Sequence, residues 1–391
     1  MHIVYLGIMT RPEDIGKIGE TSIAGNKFQY NLLKHLSCID GVKLDIISFH
    51  PFKAPHKSKK LFIRTTKEKI FDNVNLWQVG YINLPIIKQL ILPWKTLARL
   101  KKTVAKSSLV MAYDMYPTQG IPLSRIKKKV NGRTVCLLAD LSIGGVNKQR
   151  GINRFLRRLF DRSTLNNIKK CDKYIVLNEN VAKTYAPHAK YLVVDGGVEP
   201  TEFENNENNW NGKTQNIVYT GALVEYSGIM NLVKAFSYIE RNDIFLDIYG
   251  EGVLRPIIQE IAKNDPRIRY HGTVTNPEAL KAQQTSWALI NPRPVDNSIA
   301  KVTFPSKIFE YLMSGRPVAS TMLNGFSSDY DDLLIWINDD SPQGLAQAIL
   351  KMSETDNSDL TQMANNAKTY LIHNKTWKIN AEKIHYFLLT D

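Results

Sequence analysis

The stretch Phe304-Pro305-Ser306-Lys307-Ile308-Phe309-Glu310-Tyr311-Leu312-Met313-Ser314-Gly315-Arg316-Pro317-Val318 reads as a tight loop, a short helix, a glycine stop and a new strand. Pro305 can open a helix, because the N–H it lacks would be unpaired there in any case. Ile308, Phe309, Leu312 and Met313 fall on one helical face. Gly315 is placed to end the helix, and Pro317-Val318-Ala319 begins an apolar strand. Lys307 and Glu310 lie one turn apart. A lysine at the start of a helix suits a phosphate, and a carboxylate one turn on can accept hydrogen bonds from hydroxyls. Taken alone, the pattern equally fits a capped surface helix whose lysine and glutamate pair with each other.

The strand–helix rhythm extends outward from this stretch. Upstream, strands are expected at Ile217–Thr220, Phe245–Tyr249, Ile268–His271 and Ala288–Ile290. Helices are expected at Gly228–Glu240, Leu254–Lys263 and Pro277–Gln284, and Trp377–Leu389 reads as a last helix. The N-terminal half alternates too, with strands at Ile3–Gly7, Val42–Phe49, Leu109–Tyr113, Thr134–Ala139 and Tyr174–Leu177. A loop through Gly16, Gly19 and Gly25-Asn26 leads into a helix with Phe28, Leu32, Leu33 and Leu36 inward. Such alternation specifies parallel sheets covered on both faces. The weakly apolar Asn/Glu-rich stretch Glu202–Asn211 reads as a linker. Two doubly wound halves so joined place the ligand cleft between them, at the carboxyl ends of the strands.

A chain of 391 residues, 43% hydrophobic, is globular and long enough for two domains. Met1-His2-Ile3-Val4-Tyr5-Leu6 runs straight into a strand pattern, and no apolar run reaches membrane-spanning length. Cys38, Cys136 and Cys171 are widely separated, with no metal or disulfide spacing. A cytoplasmic protein is the expectation. The net charge of +14 is uneven: residues 1–200 hold 34 Lys+Arg and 14 Asp+Glu, the rest 17 and 23. The N-terminal half therefore faces something anionic, a membrane surface or nucleic acid. No recognition motif or aromatic–basic interleaving supports nucleic acid.

In order, Tyr219-Thr220-Gly221-Ala222-Leu223, Gly228-Ile229 with Ala235-Phe236, Asp247-Ile248-Tyr249-Gly250-Glu251-Gly252, Tyr270-His271-Gly272-Thr273-Val274 and Asn291-Pro292-Arg293-Pro294 precede the opening stretch. Together they resemble the nucleotide-sugar-dependent glycosyltransferases of the GT-B fold, in the retaining GT4 group, of the bacterial surface-polysaccharide type. The resemblance implies two Rossmann-like doubly wound domains facing a central cleft. On that reading 1–200 is an acceptor-binding domain, 201–213 a linker and 214–375 a nucleotide-sugar-binding domain. Residues 376–391 form a final helix free to return to the N-terminal domain.

The resemblance also implies roles. Glu310 would accept from the ribose, and Lys307 and Arg293 would stabilise charge on the leaving diphosphate. Gly221, Gly250, Gly252 and Val274 would line the donor site, with Gly25 and Asn26 facing the donor phosphates from the first loop. Asp140, after the strand Thr134–Ala139, would orient or deprotonate the acceptor hydroxyl. Three positions depart from the family pattern. Ala222 and Ser227 stand where an arginine and a lysine are usual, and Val302 where a first glutamate precedes Glu310 by eight residues. Arg293, Lys301 and Lys307 keep positive charge near the motif. Asp329-Tyr330-Asp331-Asp332 has oxygen-rich spacing, but in a chain resembling a metal-independent fold it reads as a solvated loop.

Between Asn73 and Tyr113 there is no acidic residue. There Trp94–Lys106 reads as a basic amphipathic helix with Trp94, Leu97, Leu100 and Val104 on its apolar side. A second basic helix, Ile152–Phe160, places 152, 155, 156, 159 and 160 on a face read as core. The expected protein is a retaining glycosyltransferase using a nucleotide sugar, a UDP-sugar foremost, with no cofactor and no metal. Its acceptor is a saccharide or lipid-linked saccharide, and it sits peripherally on the inner face of the cell membrane. Two rivals stay open: a catalytically silent GT-B partner subunit and a GT-B sugar-nucleotide epimerase.

Overall fold

The structure is a computed structural model and describes residues 1–14, 22–53, 58, 60–131, 133–139, 141, 143, 152–203, 214–295 and 304–390. It divides into two compact units, Met1–Asp195 with Trp377–Asp391, and Gly196–Thr376.

In the first unit the strands are β1 (His2–Leu6), β2 (Lys43–Ser48), β3 (Thr66–Ile70), β4 (Val74–Gln78), β5 (Leu109–Tyr113), β6 (Thr134–Leu138), β7 (Lys173–Val176) and β8 (Lys190–Val193). Helices α1 (Ile23–Ser37), α2 (Pro85–Thr103), α3 (Pro117–Ile126), α4 (Ile152–Ile168) and α5 (Glu179–Tyr185) alternate with them. The sheet order is β3-β4-β2-β1-β5-β6-β7-β8, parallel except at the β3–β4 edge. Every residue of β5 and β6 is buried, as both-face coverage requires. Strand order reverses between β2 and β5 around β1, which makes the carboxyl end of β1 and β5 the switch point.

Strands β3 and β4 were not readable in advance. Thr66-Lys67-Glu68-Lys69-Ile70 lacks an apolar face because it is an edge strand, and only Ile70 is buried. The face of α4 read as core is corrected: Phe155, Leu156 and Leu159 are exposed, because this half of the helix precedes the packed residues Thr164, Asn167 and Ile168.

The second unit contains β9 (Gln215–Thr220), α6 (Ile229–Ala235), β10 (Ile244–Tyr249), α7 (Arg255–Asn264), β11 (Ile268–Gly272), α8 (Asn276–Thr285) and β12 (Ala288–Asn291). It continues with α9 (Lys307–Met313), β13 (Val318–Thr321), β14 (Ile335–Ile337), α10 (Pro342–Glu354) and α11 (Asn357–Asn374). Its sheet, β11-β10-β9-β12-β13-β14, is parallel throughout. Ile217, Leu246, Ile248 and Ile290 meet Leu232, Phe236, Ile258 and Ile349 in its core. The helix expected over 228–240 is shorter: after Ala235 it tightens into a 3-10 turn, Phe236–Tyr238.

The opening stretch folds as its punctuation implies. Ile308, Phe309, Leu312 and Met313 are buried, and Gly315 takes φ +71° just before β13. Residues after the last strand of the first unit are held by the second: Val198 N–H donates to Lys375 O (2.9 Å), and Gly196 lies against the Phe309 ring.

The last helix, α12 (Trp377–Leu389), packs on α1, with the Trp377 and Phe28 rings edge to face at 5.0 Å. No helix among the described residues is long and apolar enough to cross a membrane. Trp377→Ala should cost about 3–5 kcal/mol. Urea unfolding measures this, and a loss under about 1 kcal/mol would show that α12 is dispensable to its unit.

Candidate functional site

The loops leaving β9, β10 and β11 are joined backbone to backbone. Gly221 N–H donates to Tyr249 O (2.9 Å), Leu223 N–H to Glu251 O (2.9 Å) and Gly250 N–H to Gly272 O (2.8 Å). A Cβ on Gly250 would lie 1.8 Å from Gly221 O, and one on Gly252 2.2 Å from Leu223 O. Gly250 also has φ +145°, which side chains exclude. The close approach these glycines permit is therefore between loops of the protein itself. Val274, two residues past Gly272, is half-buried.

Asp247 ties β10 to the edge strand β11. Its carboxylate accepts from Arg269 Nη2 (2.6 Å) and lies 2.6 Å from His271 Nε2. Burial pushes the Asp247 pKa up, but the His271 bond and the Arg269 charge outweigh it and hold the pKa below the ordinary carboxylate value. Tyr249 stacks on His271, with centroids 4.4 Å apart.

Helix α9 is fixed to the end of β9. Thr220 N–H donates to Tyr311 Oη (2.9 Å), and that hydroxyl donates to Thr220 O (3.1 Å). The bond falls one residue before Gly221. On the same helix Lys307 Nζ donates to Glu310 Oε2 (2.7 Å); the glutamate is mostly buried and the lysine more exposed. A ligand hydroxyl would share this carboxylate with Lys307.

Arg293 follows β12 on a braced loop. Thr321 Oγ1 donates to Arg293 O (2.5 Å), Val295 N–H donates to Asp340 Oδ2 (2.7 Å), and Gly228 lies against Pro292 O. Loop 221–228 and the Arg293 loop are thus adjacent. The guanidinium stands 5.8 Å from the Tyr226 ring, and its buried Nε has no hydrogen-bond partner among the described residues. Burial holds the Arg293 pKa below its ordinary value. A half-buried guanidinium whose Nε has no partner among the described residues suits an arriving anion. Ala222 and Ser227 serve turns instead of carrying charge: Ala222 O accepts from Tyr219 Oη (2.9 Å), and Ser227 Oγ donates to Val224 O (2.6 Å).

In the first unit Gly25 and Asn26 lie one turn inside α1, not at its opening. Ser22 is the N-cap; its Oγ accepts from Gly25 N–H (3.0 Å) and its carbonyl from Asn26 N–H (2.8 Å). The buried Asn26 side chain braces the first loop, accepting from Thr10 N–H (2.9 Å) and donating to Thr10 O (3.0 Å). Both residues shape the loop instead of offering free N–H groups.

Asp140, Lys301 and Val302 lie outside the described residues. Asp114 escaped the sequence reading. It ends β5 at the switch point, with φ +57° followed by +52° at Met115. Its buried carboxylate accepts from Ala139 N–H (2.9 Å), tying the exits of β5 and β6 together. The signal available was an acidic residue directly after an apolar strand and shortly before Pro117. Among the described residues no group of His, Cys, Asp and Glu could hold a metal ion.

Residues 214–355 match the family model described as "Glycosyl transferases group 1". No curated protein matches the chain. Solved structures match along its length. A sucrose-phosphate synthase from Thermosynechococcus elongatus has a TM-score of 0.70 at 14% identity, covering 99% of this chain and 98% of that one. The fold is GT-B. Anabaena HepE, solved in complex with UDP, has a TM-score of 0.66 at 13% identity, with 99% of each chain covered. WaaG, a glycosyltransferase involved in lipopolysaccharide biosynthesis, has a TM-score of 0.63 at 14% identity, with 100% of each covered. The domain match supports a glycosyltransferase, and the neighbours show the fold.

Two outcomes test the geometry. Gly250→Ala should destabilise by about 2–4 kcal/mol in urea, well beyond the ~1 kcal/mol expected of Gly41→Ala. Gly41 also has positive φ (+76°), but nothing lies within 4 Å of its added Cβ. Equal losses would remove the loop-packing argument. Arg293→Met should leave the urea midpoint of the free protein unchanged or raised, because it removes a partly buried charge whose Nε has no partner among the described residues. A marked fall would mean that Arg293 is a structural brace.

Proposed function

We propose that this protein is a retaining glycosyltransferase of the GT4 group. It moves a sugar from a nucleotide sugar, a UDP-sugar, to a saccharide or lipid-linked acceptor in surface-polysaccharide assembly at the inner membrane face. The observation that carries the reading is Arg293, a half-buried guanidinium whose Nε lacks a partner among the described residues. It stands beside the glycine loops of the domain that matches the glycosyltransferase model. The UDP bound to HepE supports the choice of nucleotide.

In the reaction, the bond from the sugar's anomeric carbon to the diphosphate breaks. A new bond forms from the same face to the acceptor oxygen, and the acceptor's proton passes to the departing diphosphate. Arg293 and Lys307 stabilise the charge growing on that diphosphate. Glu310 accepts from the ribose hydroxyls while keeping Lys307 oriented through their 2.7 Å bond. Asp140 orients the acceptor hydroxyl, and Asp114 holds Ala139 beside it. The groups named carry the chemistry without a metal or cofactor.

A thermal-shift titration with nucleoside diphosphates tests the donor site. UDP should stabilise the protein selectively, and Glu310→Ala should weaken UDP by about tenfold or more with the free protein still folded. Transfer should survive a chelator to within about twofold. No response to any nucleotide would contradict the reading. Binding without turnover on the correct acceptor would favour the silent partner, and an epimerised donor the epimerase.

A further inference from the structure

Helices α2 and α4 both begin at the carboxyl end of the first sheet. Each follows one parallel strand, β4 or β6, and returns to the start of the next, β5 or β7. Helix α3 packs against both. The second halves of α2 and α4 are packed through Leu97 and Leu100, and through Thr164 and Ile168. Their first halves each leave an apolar stripe exposed, although Leu92 on α2 is buried. Ile86, Leu90 and Trp94 recur every four residues along α2 and are 63%, 65% and 52% exposed. On α4, Phe155 and Leu159 repeat the spacing at 61% and 48%.

The charge around these stripes has one sign. Residues 81–162 contain 17 Lys+Arg and 3 Asp+Glu. Of the three acids, Asp114 is buried, and Asp161 is buried against Arg157 (2.9 Å). Arg154, Arg158 and Arg162 are exposed on α4 between its apolar residues, and Lys95, Lys101 and Lys102 are exposed on α2. The Arg125 guanidinium stands 5.4 Å from the Trp94 ring.

Exposed leucine, isoleucine, phenylalanine and tryptophan mark a surface that is covered in use. The basic surround decides what covers it. A second copy would bring like charge, and a nucleic acid has no use for aliphatic stripes. Acyl chains below a layer of phosphates match both features. We propose that the first halves of α2 and α4 form a two-point docking face for an anionic lipid bilayer. Leu90, Trp94, Phe155 and Leu159 enter the acyl boundary while the flanking lysines and arginines meet lipid phosphates. The face lies at the carboxyl end of the sheet, the end that carries Asp114. Docking therefore brings the acceptor-handling edge to the bilayer, which deepens the lipid-linked acceptor reading and rests on it.

Vesicle flotation tests this with the full chain, Ile86→Ser/Leu90→Ser and Phe155→Ser/Leu159→Ser. On phosphatidylcholine vesicles with about 30% phosphatidylglycerol, the native protein should float, and its partition should fall about tenfold in pure phosphatidylcholine or ~0.5 M salt. Each double variant should lose about tenfold in partition while keeping its UDP thermal shift. Native protein that stays unbound, or variants that float equally well, would overturn the proposal. So would a dimer seen by light scattering that the variants break without any flotation. A UDP response without flotation removes the docking face alone. Flotation without a UDP response removes the donor reading and leaves the docking face standing.

Discussion

Three loops at the carboxyl end of the second sheet meet along their backbones, and everything at the candidate site is placed by that meeting. Backbone bonds Gly221–Tyr249, Leu223–Glu251 and Gly250–Gly272 join them, and Gly250 and Gly252 sit closer to Gly221 O and Leu223 O than a Cβ would allow. Glycine is required there because protein packs on protein, before any ligand is considered. The Tyr311 hydroxyl then fixes α9 to Thr220, next to this seam, and Gly228 against Pro292 fixes the Arg293 loop beside it. Lys307, Glu310 and Arg293 inherit their positions from these three attachments.

The charges so placed differ in kind. Lys307 and Glu310 already satisfy each other, so a ligand must share them. Burial holds the Arg293 pKa below its ordinary value, and its Nε has no hydrogen-bond partner among the described residues. Ala222 and Ser227 are occupied in turns, so on the proposed reading the diphosphate contact falls chiefly to Arg293. In the first unit the polar side chains are spent on the chain itself. Asn26 braces the first loop and Asp114 ties two strand exits together, shaping an edge instead of facing out from it.

Much of this was legible in the residues, for identifiable reasons. Pro305 and Gly315 punctuate α9 so clearly that its buried face could be read by period alone. Strands such as Leu109–Tyr113 are continuous apolar runs because they are covered on both faces. β3 was hidden because an edge strand with charged residues on both faces has no period to read. Gly25 and Asn26 read as a helix opening because the apolar pattern begins only at Phe28, six residues past the cap at Ser22. Helical spacing makes the α4 face read as core, because it reports amphipathicity and not what lies opposite. Arg293 was legible as a residue type in a stiff loop; that its Nε has no partner among the described residues is a fact of three dimensions.

The central claim is that the second unit recognises a nucleoside diphosphate through Arg293 and Lys307. Calorimetric titration of UDP, UMP and uridine against the native protein tests it most directly. The account predicts that UDP binds about tenfold or more tighter than UMP, and UMP tighter than uridine, because each phosphate adds charge-assisted bonds. Equal affinity for all three, or no binding of UDP, would contradict it.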